Sequence, residues 1–211
     1  MTLAAAAFVA SPKVVAPIFE EAAEGSPLRF MRLAPLAIAA TVLNAAIETA
    51  GLSFLAIYAV NLGWASDEAP RLMSCMMIGA ILLQLPIGWL GDKVNRFRLV
   101  VTLAALSTLG ALAWPFVLHS PLLTYALLFV WGGTFVGIYT LMLTIVGSRF
   151  QGAELVGIYA AMGLMWGGGA LLGPMLAGLA MEGFTHGLAY FIAAACAGFG
   201  VFAVLSRREA K

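Results

Sequence analysis

Thr41, Asn44, Glu48 and Gly51 follow one another at steps of three, four and three, which sets all four along one face of a helix. Glu48 stands near the middle of a run that carries no other charge. A carboxylate at the centre of a membrane-crossing helix costs about 2.5 to 3.5 kcal/mol to insert, so it belongs in a cavity or beside a partner rather than against lipid. No other acidic residue lies as deep in an apolar run. Glu48 is therefore the group expected to bind and release a proton or to hold a cation, with Asn44 one turn away as its hydrogen-bond neighbour. The structural alternative is a neutral glutamic acid bonded to Asn44 and serving only to hold helices together.

Two other stretches repeat this spacing. Gly133, Gly137, Thr140 and Thr144 form one, and Tyr159, Gly163, Trp166, Ala170 and Gly173 form the other. Small residues let helices approach closely, while hydroxyls and rings can meet a ligand. Thr140, Tyr159 and Trp166 thus join Thr41, Asn44 and Glu48 as the expected solute or proton pathway. Gly133 with Gly137, and Gly169 with Gly173, are also plain small-xxx-small pairs, for which packing is the simpler role. Trp64 and Trp89 fall at the ends of apolar runs, where tryptophans anchor at the lipid–water boundary; Trp131 and Trp166 do not.

The elements that must carry these residues are set by composition. The chain of 211 residues is 63% hydrophobic and 10% charged, with a mean hydropathy of +1.00, more apolar surface than a soluble domain of this size can bury. Its charges cluster, leaving six uncharged or nearly uncharged runs long enough to cross a bilayer core of roughly 30 Å. They lie at about 34–62, 71–90, 98–118, 121–147, 153–181 and 187–205. None shows the strict alternation of a barrel strand, so the sequence predicts an all-α membrane protein of six transmembrane helices over residues 31–206. Pro35 and Pro121 suit first-turn positions, whereas Pro86, Pro115 and Pro174 are expected to bend their spans. Residues 1–30, with Pro12, Pro17, Glu20, Glu21, Glu24 and Pro27, read as a linker, and 207–211 as a short tail.

Alternate loops fall on opposite sides. One side receives Lys13, Arg29, Arg32, Lys93, Arg96, Arg98, Arg149, Arg207, Arg208 and Lys211; the other receives only Arg71. The positive-inside rule then places both termini in the cytoplasm, as an even number of spans requires. The first residues lack the basic n-region of a secretion signal. Cys75 and Cys196 both sit inside predicted spans and read as small apolar side chains. No metal-ligand spacing, phosphate-binding lysine loop or nucleophile arrangement occurs, so no cofactor and no enzymatic role is expected. A net charge of +1 gives no reason to expect nucleic acid as a partner.

Between the second and third runs lies Gln84-Leu-Pro-Ile-Gly88-Trp-Leu-Gly91-Asp92-Lys93-Val-Asn95-Arg96-Phe97-Arg98. This resembles the cytoplasmic-loop signature of the major facilitator superfamily, commonly written G-x-L-A-D-[RK]-x-G-R-[RK], at the place it takes in the C-terminal half. Gly88, Leu90, Gly91, Asp92, Lys93 and Arg96 match it. Asn95 stands where glycine is usual, a mild change because asparagine tolerates the left-handed conformation, and Phe97 stands where a basic residue is usual. Similarity extends from about Ser26 to the C-terminus and is closest to bacterial efflux members, with the 82–88 run, the 149–154 loop and the 169–178 stretch adding to it.

The resemblance implies half of that fold, two inverted three-helix repeats in which the first helix of each lines the cavity and the third lies outside. The polar content of the runs agrees, since the first and fourth are the most polar and the third and sixth the least. It also implies that Gly88 allows close packing and that Asp92, Lys93 and Arg96 form the charge pairs of a cytoplasmic gate. The expected function is secondary transport of a small solute by alternating access in a bacterial inner membrane, with proton-coupled efflux as one form of it. The missing half would come from a second six-helix chain, from a second copy, or from a longer reading frame. The competing reading is a membrane interaction subunit, or an inactive fragment, that transports nothing.

Overall fold

The computed structural model describes residues 26–209; most of the expected linker and the last two residues lie outside that range. The described residues form helices α1 (Pro27–Leu33), α2 (Pro35–Asn61), α3 (Ala69–Leu82), α4 (Gln84–Lys93), α5 (Arg96–Val117), α6 (Pro121–Arg149), α7 (Gly152–Gly183) and α8 (Gly187–Glu209). There is no strand among them. With α3 and α4 counted as one span, Ala69–Lys93, six helices are long and apolar enough to cross a membrane. The chain is an integral membrane protein.

Prolines punctuate these helices as their chemistry requires. Pro35 and Pro121 open α2 and α6, where a missing N–H is one that no helix would use. The second span is interrupted at Leu83, between α3 and α4. Pro86 accounts for the break, since its ring crowds the carbonyl of Leu82 and it supplies no N–H to that group. Helix α5 continues across Pro115 and α7 across Pro174, so of the three prolines expected to bend a span only Pro86 coincides with an interruption.

The linker expectation needs one correction. Helix α1 begins at Pro27, inside the stretch read as linker, and Phe30 is buried against α7, with its ring where a side chain on Gly157 would lie. The proline and glutamate content before Ser26 hid a short helical turn with one buried ring, Phe30. Ala34 then separates α1 from α2.

Packing follows a rule of exchange. The most extensive contacts are α2 with α7 and the second span with α6; α5 packs on α8, and also on α6, while α2 packs on α8. Exchanging spans one and four, two and five, and three and six maps these five contacts onto one another, while the α2–α3 contact has no counterpart of like extent between α6 and α7. That is the arrangement of two related three-helix repeats. Glycines make the tightest crossings possible. A methyl added at Gly169 or Gly173 would overlap the Val42 or Ala46 backbone of α2, and one at Gly79 would overlap the Phe129 carbonyl of α6. Gly133 and Gly137 play the same part against Leu83 and Ile87. The glycine pairs expected to serve packing do so.

Candidate solute cavity

Helices α2, α3 and α6 enclose a cavity of about 320 Å³, backed by Trp114 of α5 and Ile192 of α8. Glu48 reaches it near the midpoint of α2, and Gln84 at the break in the second span. The remaining wall is almost wholly apolar and rich in sulfur and rings, with Met76, Met77, Trp114, Trp131 and Phe135. Asn44 donates from Nδ2 to Glu48 Oε2 at 3.2 Å, while its buried Oδ1 has no hydrogen-bond partner among the described residues. The expected i, i+4 pair therefore forms, and the cavity wall has one carboxylate.

Thr140 does not line the cavity, but its hydroxyl donates to Gln84 Oε1 at 2.6 Å. Gln84 Nε2 in turn donates to the Ala80 carbonyl at 2.6 Å, so the amide is held from both ends beside the Pro86 break. The aromatic wall is also fixed. Trp131 donates from its indole N–H to the Ser107 carbonyl at 2.8 Å, stacks on Phe135 with centroids 5.1 Å apart, and meets Trp114 edge-on at 5.0 Å. The Trp114 indole nitrogen is buried with no hydrogen-bond partner among the described residues. Sequence reasoning missed Gln84, Met76, Met77, Trp114 and Phe135 as parts of a site, because a ring or thioether in an apolar run gives no sign of which helix it will face.

The other expected pathway residues lie elsewhere. Thr41 is fully buried, and its hydroxyl donates to the Ala37 carbonyl of its own helix, so it presents nothing to the cavity. It shares a helical face with Glu48 but lies about 10 Å further down the axis, where neighbouring helices close over that face. Tyr159 and Trp166 line a separate open groove of about 530 Å³ between α6 and α7, with Tyr139 and Leu143. There Trp166 meets Tyr139 edge-on at 5.5 Å.

At the 84–98 loop, Arg96 donates to Asp92 Oδ1 at 3.0 Å and to the Gly91 carbonyl at 3.3 Å, while Lys93 sits 3.9 Å from the Trp89 ring centroid. The close helix crossing falls at Gly91, where an added methyl would meet Leu141; Gly88 has no atom within 4 Å of a built Cβ. Asn95 is not left-handed, at φ −62° and ψ 111°; it caps α5, its Oδ1 accepting from the Arg98 N–H at 3.0 Å. The departure from glycine is thus an N-cap, and backbone tolerance plays no part in it.

A bundle of six membrane-crossing helices in two exchanged triplets has the architecture of one half of an inverted-repeat membrane fold. The model of the Major Facilitator Superfamily matches residues 36–211, and the chain belongs to that superfamily. It is 30% identical over 149 residues to an uncharacterized MFS-type transporter, YfkF, of Bacillus subtilis, a match covering 69% of this chain and 37% of the relative. It is 31% identical over 165 residues to the methyl viologen resistance protein SmvA of Salmonella typhimurium, covering 75% of this chain and 30% of the relative. The chain thus spans about a third of the length of these relatives. No solved structure matches it.

Proposed function

We propose that this chain supplies one half of a secondary transporter that moves a small lipophilic cation by alternating access. The observation that carries the reading is the Glu48 carboxylate set at mid-helix in a cavity of about 320 Å³ whose other walls are methionine and aromatic side chains. Ring faces attract cations, and thioethers adapt to varied apolar shapes. The cavity suits a small molecule, at the lower end of the size range for such sites. The relative named for resistance to methyl viologen, itself an aromatic dication, supports an aromatic cation as the substrate.

A solute cation and a proton would then compete for Glu48. Protonation releases the cation and deprotonation recaptures it, which couples efflux to a proton gradient. Asp92, Lys93 and Arg96 would act as the cytoplasmic gate, with both termini in the cytoplasm of a bacterial cell, and a second six-helix half or a second copy would complete the cavity. The first test is the subunit composition of the protein purified from its native membrane in mild detergent. A complex of two six-helix units is expected; a lone chain that restores no cation efflux in vesicles would refute the half-transporter reading. In an active assembly, Glu48→Gln should abolish the pH dependence of methyl viologen transport, and an unchanged pH profile would remove Glu48 from the coupling step.

A further inference from the structure

At the end of the bundle that carries the basic loops, a cavity of about 570 Å³ opens between the start of α2, the turn before α5, the end of α6 and Ser206 of α8. Two guanidinium groups border it, Arg96 and Arg149. Arg96 gives one N–H to Asp92 and one to the Gly91 carbonyl, which leaves three of its five donors without a partner among the described residues. Arg149 has no carboxylate within ion-pair distance among the described residues; its guanidinium lies 5.6 Å from the Phe150 ring centroid. Below these cations the wall is apolar, from Leu36, Met142, Ile145 and Val146. Cations above an apolar floor are the pattern of a site for an anionic amphiphile.

A second cavity, of about 510 Å³, is a groove between α5 and α8. Ala104 and Cys196 form its buried floor, with Val101, Leu109, Val201 and Leu205 at its sides. Ala105 and Ala197 also line it, so that small side chains leave an open channel where two lipid-facing helices meet. Residues that line the two cavities adjoin along both helices. Val101 lies one turn along α5 from Phe97, which borders the cationic cavity, and Leu205 of the groove is followed by Ser206 of that cavity. From Phe97 to Leu109 the helix advances about 18 Å, close to the depth of one leaflet of a roughly 30 Å hydrocarbon core.

We infer that the two cavities together bind one anionic diacyl phospholipid, its phosphate held by Arg149 and Arg96 and one acyl chain laid in the α5–α8 groove. Guanidinium groups bind phosphate oxygens through paired N–H donors, which selects an anionic headgroup at this depth. The carboxylate beside the cavity, Asp92, is engaged by Arg96 and mostly exposed, so a choline or ethanolamine ammonium gains little here. The inference does not depend on transport by the chain.

The test is native mass spectrometry of the full chain in detergent with equal amounts of dioleoyl phosphatidylglycerol and dioleoyl phosphatidylcholine. One phosphatidylglycerol should be retained in clear preference. Arg149→Ala should lower that retention about fivefold, the worth of one basic side chain near an anionic surface, while Arg149→Lys should lower it less. Ala105→Phe, on the lipid-facing side of the groove, should also reduce retention, with unchanged far-UV circular dichroism showing that the bundle is intact. Equal retention of the two lipids, or wild-type retention by Arg149→Ala, would overturn the proposal. So would glycerol phosphate displacing phosphatidylglycerol with no effect of Ala105→Phe, since that marks an anion site without a lipid.

Discussion

Replacing Gly173 by alanine tests whether the α2–α7 crossing is as tight as the structure has it. A Cβ built at Gly173 lies 2.5 Å from the Ala46 Cα and 2.6 Å from its carbonyl carbon, where ordinary contact is 3.4–4 Å. Both obstacles are backbone, so the helices themselves must separate by roughly 1 Å at this level, and the neighbouring contact at Gly169 opens with them. Overpacking of this kind costs about 1 to 3 kcal/mol. It outweighs the gain of up to about 1 kcal/mol from replacing a mid-helix glycine by alanine. Gly167, two turns earlier in α7, has no atom within 4 Å of a built Cβ and isolates that propensity gain. Titrating the purified protein from mild detergent into dodecyl sulfate, with tryptophan fluorescence as the readout, should place the midpoint of Gly173→Ala below wild type and that of Gly167→Ala at or above it. If Gly173→Ala proves as stable as Gly167→Ala, the backbone contact described for this crossing is wrong.

Thr140→Val removes the 2.6 Å hydrogen bond to Gln84 and leaves that amide oxygen unpaired, which should cost about 0.6 to 1.7 kcal/mol in the same titration. Asn95→Ala should destabilise by about 1 kcal/mol through loss of the α5 cap. Asp92→Asn, which breaks an ion pair whose carboxylate side chain is 70% exposed, should cost less than that; the reverse order would show that the 84–98 loop is held by charge. Phe30→Ala should release α1 from α7, seen as faster amide exchange confined to residues 27–33 with little change elsewhere.

Six spans and their class were legible in the sequence because an apolar run of bilayer length has few alternatives to a transmembrane helix. The Asn44–Glu48 pair was legible too, since a four-residue spacing on one helix fixes the neighbours. Thr41 was not, because helical periodicity says which direction a side chain faces and nothing about whether that direction is open at a given depth. Gln84 read as the first residue of a loop motif. Its place in the cavity depends on the Pro86 break and on a hydroxyl from another helix, two facts with no local signature. The aromatic wall is invisible in sequence for the same reason, because Trp131 and Phe135 could as readily have met lipid. Asn95 shows a different limit, in that comparison with a motif flagged a departure whose explanation was the side chain's own hydrogen bond.

The exchange rule in the packing lets residues of the two triplets be matched through their contacts. Gly169 and Gly173 rest on Val42 and Ala46, while Gly79 and Leu83 rest on Phe129 and Gly133. Val42 therefore corresponds to Phe129 and Ala46 to Gly133, and the same register sets Asn44 against Trp131 and Glu48 against Phe135. The carboxylate and its amide in one repeat occupy the positions of a stacked ring pair in the other. A scaffold that is symmetric in its packing thus carries unlike side chains at matched positions, a carboxyl and an amide in one repeat and two rings in the other.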